Sequence, residues 1–148
     1  MAKNKSSYMD DQSWTDVRDG MRIDWDVPIP MDDGVVLRCD VYRPIKNGKY
    51  GVIMTLGPYG KFLHFNEIYA DQFDRMCEDF PEVPSESTNN YQNWEVVDPE
   101  KWVPDDYVCI RVDSRGAGRS PGVIDIWSGR EAQDLAICVD WAGVQSWS

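Results

Sequence analysis

The chain has 148 residues, with 15 Lys and Arg against 26 Asp and Glu, a formal net charge of −11 and a pI near 4.4. That acidity argues against nucleic acid or an anionic membrane surface as a partner, because both are bound through clustered Lys and Arg. With 42% hydrophobic and 12% aromatic residues the composition is globular, not disordered, and the length suffices for one domain whose core needs no metal or disulfide staple.

Residues 1–20 carry no sustained period and read as a polar N-terminal arm. The opening MAKNKSSYMDDQ is polar throughout, unlike a secretory signal, and no apolar run nears the ~20 residues of a membrane span, so a cytoplasmic location is expected. Met21 to Ile29 and Val35 to Tyr42 alternate as strands do, and Met31-Asp32-Asp33-Gly34 supplies turn chemistry between them, which predicts a β hairpin. After IKNGKYG, the continuous apolar run Val52 to Leu56 predicts a strand buried on both faces.

From Asn66, a candidate N-cap, Tyr69, Phe73, Met76, Cys77 and Phe80 fall on one helical stripe, and Pro81 ends it. Residues 67–106 hold twelve carboxylates against Arg75 and Lys101, so ten of the eleven net negative charges lie there. Within that stretch, about residues 81–106 form an acidic excursion: four of the nine prolines, a polar SESTNN, and Tyr91, Trp94 and Trp102. A pure linker has no use for two tryptophans, so part of it is expected to pack back onto the body. A solvated loop is favoured over an acidic patch for a cationic ligand.

Tyr107 to Val112 reads as a fourth strand, followed by the glycine-rich RVDSRGAGRSPG and a second helix signalled by Ser128 and Glu131 at capping-box spacing. Ala132, Leu135, Ala136 and Val139 are its expected buried stripe and Gly143 its C-cap. The order β hairpin, β, α, β, α implies an α/β sheet in residues 21–148. Cys39, Cys77, Cys109 and Cys138 stand singly in apolar stretches and are expected to be buried reduced thiols, not a disulfide or zinc site.

Gly118-Arg119-Ser120-Pro121-Gly122 fits the letters of G-x-S-x-G between a strand and a helix. The residue after a serine nucleophile must give its backbone N–H to the oxyanion, and Pro121 has none, so Ser120 is rejected as the nucleophile. The same loop fails as a dinucleotide fingerprint, because Pro121 stands where the last glycine is needed. His64, the only histidine, precedes any candidate nucleophile and reads as a partly exposed loop residue. Asp113, at the end of the fourth strand, could face a site, but pairing with Arg115 or Arg119 to hold the loop is the favoured reading.

Four segments together resemble the N-terminal portion of the Xaa-Pro dipeptidyl-peptidase and cocaine-esterase family of α/β-hydrolases. They are VPIPMDDGVVLRCDVYRP (Val27 to Pro44), VIMTLGPYGK (Val52 to Lys61), YVCIRVDSRGAGRSPG (Tyr107 to Gly122) and SGREAQDLAICVDWAGVQSWS (Ser128 to Ser148), in the family's order. The resemblance implies an esterase or peptidase working by acyl transfer through a Ser-Asp-His triad on a small-molecule ester or peptide, without a cofactor. It implies sheet order 1-2-4-3-5 and a nucleophile elbow roughly ten residues past Trp147, so the chain is expected to be an α/β-hydrolase domain truncated before the nucleophile strand and inactive alone. The open edge at Val52 to Leu56 would leave it marginally stable. One functional residue carries over: Tyr59, in Gly57-Pro58-Tyr59-Gly60-Lys61, matches the family tyrosine whose phenol donates to the oxyanion. The rivals are a non-catalytic interaction module using the acidic excursion and, on weaker grounds, a nucleotide-binding α/β domain.

Overall fold

The computed structural model describes residues 12–148; of the N-terminal arm, residues 1–11 lie outside the described residues. The rest of that segment departs from the sequence reading: Trp14–Arg18 is a strand, β1, pairing antiparallel with β2, Met21–Pro30. The reason is aromatic. Trp14 stacks on Trp25 at 6.0 Å, and the Arg18 guanidinium lies over the Trp25 ring, so a polar segment gains an apolar anchor.

The hairpin forms as read, between β2 and β3, Val36–Pro44. Its register shifts between Asp24 and Val27, where Asp26 adopts a positive φ of 55°. β4, Gly51–Gly57, runs parallel to β5, Tyr107–Asp113, and β5 inserts antiparallel against β3. The sheet order is β1-β2-β3-β5-β4. The hairpin and the parallel pair thus stand in the 1-2-4-3 arrangement expected. β4 is the edge strand among the described residues, and its side chains are half-buried, so the expectation of burial on both faces fails.

Alternation along the strands divides the core between two faces. Leu37, Cys39, Val41, Val108, Ile110 and Val112 pack on one face with Cys138, Ala142 and Trp147. The first two of these last three belong to α4, Gly129–Gly143. The opposite face buries Met21, Ile23, Tyr42 and Cys109 against Tyr91 and Val103 of the excursion. The excursion does pack back, through Tyr91 and Val103, while Trp102 stays 40% exposed. It includes α3, Pro99–Trp102, and a 3-10 turn at Val103–Asp105.

The first predicted helix is two: α1, Phe65–Ile68, and α2, Ala70–Asp79, with His64 and Tyr69 at the N-cap positions and no side-chain cap, so Asn66 is not a cap. Neither buries a residue fully; Tyr69 and Phe73 meet Phe65 edge-on, and Phe65 and Tyr69 meet Trp94 of the excursion. Phe80 is exposed and Cys77 only half-buried, whereas Cys39, Cys109 and Cys138 are buried and all four are free thiols. α4 starts at the predicted cap, Ser128 Oγ accepting the Glu131 N–H at 3.1 Å. Its buried face is Asp134, Cys138 and Ala142, not the stripe through Leu135 and Val139, which are 40% and 54% exposed. The helix is turned by Asp134, whose carboxylate must reach Arg115 beneath it at 2.9 Å. Gly143 is the last helical residue and Val144 occupies the C-cap. No helix of the described residues is long and apolar enough to cross a membrane.

Candidate active site

In an open parallel sheet, ligands bind beyond the carboxyl ends of the strands. β4 ends at Gly57 and β5 at Asp113, side by side, and the Ser114 N–H donates to the Gly57 carbonyl at 3.0 Å to hold the two ends together. The chain then turns through Pro58-Tyr59-Gly60-Lys61, with Gly60 at φ +79°, a left-handed backbone that glycine adopts without penalty. A cleft opens there, lined by Gly57, Tyr59, Lys61, Asn93, Trp94 and Asp113.

The turn is pinned from three sides. The Lys61 N–H donates to Asp113 Oδ1 at 2.6 Å. The Gly60 carbonyl accepts from Asn93 Nδ2 at 2.8 Å. The Lys61 ammonium, almost wholly buried, reaches Asp40 at 2.9 Å and Asp26 at 3.2 Å. Burial by itself would lower the Lys61 pKa, but Asp40, Asp113 and Asp26 outweigh it and hold the ammonium charged. Asp26 is also paired with Arg119 Nε at 2.9 Å, and its N–H donates to Asp40 Oδ1 at 2.8 Å. Truncating one member of such a buried pair strands the other charge, a loss of about 3–5 kcal/mol.

Tyr59 therefore extends from a fixed turn. Its O–H donates to Glu95 Oε2 at 3.1 Å, and that hydrogen bond, ahead of burial, raises the phenol's pKa above its usual value. Glu95 and Asn93 come from the acidic excursion, part of which is expected from the sequence to pack back onto the body, though the sequence does not mark these two residues as contacts of the turn. Asn93 and Gln92 are buried, and the Gln92 carbonyl caps α1 through the Phe65 N–H at 3.0 Å. The signal available in the sequence was the aromatic content between Tyr91 and Trp94, in a stretch otherwise polar.

Asp113 is buried, and its carboxyl is pushed up to about 6 by burial, against the pull of two backbone N–H donors and the Lys61 charge. It does hold the glycine-rich loop, but through the Arg119 backbone N–H at 2.8 Å, not through a guanidinium. Arg115 pairs instead with Asp134 and Asp33, and Arg119 with Asp26. Gly118 sits at φ +51° where a Cβ would overlap the Asp113 carboxylate, which is why a glycine occurs there. Ser120 is 5% exposed, with Oγ donating to the Asp113 carbonyl at 2.6 Å and accepting the Arg38 N–H at 2.9 Å. Ser120 thereby ties the loop to β3 and to the end of β5. His64 is half-buried at the start of α1, its carbonyl accepting from Glu67 and Ile68. A second cleft, near Trp14, Asp24, Trp141 and Trp147, lies away from the strand ends, and His64 does not line it.

A hairpin leading into parallel strands ordered β5-β4, with a shaped turn at their carboxyl ends, defines an α/β-hydrolase arrangement. The family model for X-Pro dipeptidyl-peptidase (S15 family) matches residues 33–148, and the chain belongs to that family. It is similar to two structures of a CocE/NonD family hydrolase from Staphylococcus aureus. One is 36% identical over 86% of this chain and 21% of that chain, TM-score 0.69; the other is 31% identical over 100% and 26%, TM-score 0.74. An α-amino acid ester hydrolase, 16% identical over 99% of this chain and 22% of its own, TM-score 0.55, shares the fold. The chain thus spans about a fifth to a quarter of the length of these relatives. No curated protein sequence matches it.

Proposed function

We propose that this chain carries the oxyanion-stabilising side of a serine hydrolase that cleaves ester or amide bonds, including Xaa-Pro-like peptide bonds, by acyl transfer, with Tyr59 as a donor to the oxyanion. The observation that carries this reading is the placement of the Tyr59 phenol on a turn held by Asp113, Asn93 and the buried Lys61, beyond the ends of β4 and β5. A phenol carried on a turn that is fixed before the reaction starts has only its O–H to redirect toward developing charge. Its O–H is donated to Glu95 and turns from that carboxylate to the substrate oxygen as negative charge builds there. Membership of the family and the strand order support the reading. Ser120, spent on backbone groups, is not the nucleophile; nucleophile, acid and histidine base lie outside these 148 residues, which alone are inactive.

The test is Tyr59→Phe in the whole hydrolase, assayed on p-nitrophenyl acetate and on an Xaa-Pro p-nitroanilide. Removal of one oxyanion donor is expected to lower kcat by about 10²–10³ with little change in KM. An unchanged kcat would sink the assignment. Ester turnover by the 148-residue chain that Ser120→Ala abolishes would overturn the placing of the nucleophile elsewhere.

A further inference from the structure

We infer that Asp113 is a positioning residue for Tyr59: its carboxylate, at the end of β5, clamps the Gly60–Lys61 turn to the glycine-rich loop and so sets where the phenol sits. The inference deepens the function proposed above and takes its catalytic meaning from it, but its geometry stands independently.

The clamp is a two-point one. Oδ1 accepts the Lys61 N–H at 2.6 Å and Oδ2 accepts the Arg119 N–H at 2.8 Å, from segments 58 residues apart in sequence. Its own main chain is fixed as well, since the Asp113 carbonyl accepts Ser120 Oγ and its strand pairs with Arg38 and Gly57. Lys61 is two residues from Tyr59, so a shift of the Lys61 amide moves the phenol. Around the carboxylate stand Lys61 from the turn, Arg119 from the glycine-rich loop, Asp40 from β3 and, across Lys61 and Arg119, Asp26 from β2.

An ionised carboxylate offers acceptors to both N–H groups. A protonated one turns one oxygen into a donor that faces an N–H, so the clamp releases one of its two segments. Burial brings that event to about pH 6, inside the range where a hydrolase is assayed. The expected behaviour is a turn, and a Tyr59 phenol, that are held at neutral pH and loosened in mild acid.

The experiment is ¹⁹F NMR of the intact protein carrying 3-fluorotyrosine, with the Tyr59 resonance assigned by its loss in Tyr59→Phe. The background is His64→Gln/Glu95→Gln, which removes the single histidine of the sequence and the carboxylate that accepts the Tyr59 O–H, so that neither contributes to the Tyr59 signal. Between roughly pH 4.5 and pH 7.5 the Tyr59 signal is expected to shift with a midpoint near that of Asp113, and the amide signals of Lys61 and Arg119 to move with the same midpoint. Asp113→Asn should leave Tyr59 flat over that range. A flat Tyr59 signal in the background protein, a midpoint differing from that of the Lys61 and Arg119 amides, or a transition surviving Asp113→Asn would each overturn the inference. Should Asp113→Asn fail to fold, the shared midpoint in the background protein decides the matter. A coupled titration together with an inert Tyr59→Phe would retain the clamp and sink the catalytic role; the converse would sink the clamp alone.

Discussion

Asp26, Asp40 and Lys61 are the residues that composition and motif reading passed over. In the strand pattern Leu37, Cys39 and Val41 face one side, and Asp40 occupies an inward position on the other, beside Tyr42. A carboxylate buried there requires a cation, and the structure supplies it from Lys61, the last letter of the GPYGK loop. Lys61→Met should therefore destabilise the fold by about 3–5 kcal/mol in urea titration, because Asp26 and Asp40 lose a shared partner. Arg43→Met, which removes a partly exposed pair with Asp24, should cost less than about 1 kcal/mol. Asp113 sets a pH dependence of definite sign. Its pKa is raised from 3.8 to about 6 in the folded state, so its contribution is full below about pH 3.8 and is lost as pH rises through about 6. The difference corresponds to roughly 3 kcal/mol. Comparing the urea stability of wild type and Asp113→Asn at pH 4 and about pH 7 should show wild type losing stability relative to the variant at the higher pH.

Helix α4 illustrates how an element is anchored in one register and read in another. Its start is local chemistry: Ser128 Oγ caps the Glu131 N–H, and Glu131 reaches back to the Trp127 N–H at 2.8 Å, one residue before the position a capping box would use. Ser128→Ala is expected to cost about 1 kcal/mol in thermal or urea unfolding. The helix rotation is tertiary. Asp134 binds Arg115 and Arg130, which also hold Asp33 and Asp32 of the hairpin turn, and this ionic tie turns Cys138 and Ala142 inward. Leu135→Gln should consequently change stability by less than about 0.5 kcal/mol, against the larger loss a buried stripe would have shown. The excursion shows the reverse case. Its charge was legible, but not that Tyr91 would close over Tyr42 at 5.6 Å and Asn93 reach the Gly60 carbonyl, since both depend on where a parallel crossover returns.

For the molecule as a whole, β4 presents an edge with no further strand paired to its outer side among the described residues, and elsewhere on the surface Val123 and Trp127 are 77% and 94% exposed. Unpaired edges template association. The 148-residue chain by itself is expected to be marginally stable, and circular dichroism showing a cooperative melt above about 50 °C would contradict this. By itself the sequence determined what rests on short-range physics: the hairpin and its turn, the two parallel strands and the start of α4. The motif GPYGK also marked Tyr59. Only the tertiary structure decided which face of α4 is buried, that Trp14–Arg18 joins the sheet, and that Asp113, Asn93 and Lys61 converge on one turn. Those outcomes depend on charges and aromatic rings far apart in the chain, whose energies take effect only when folding removes water from between them.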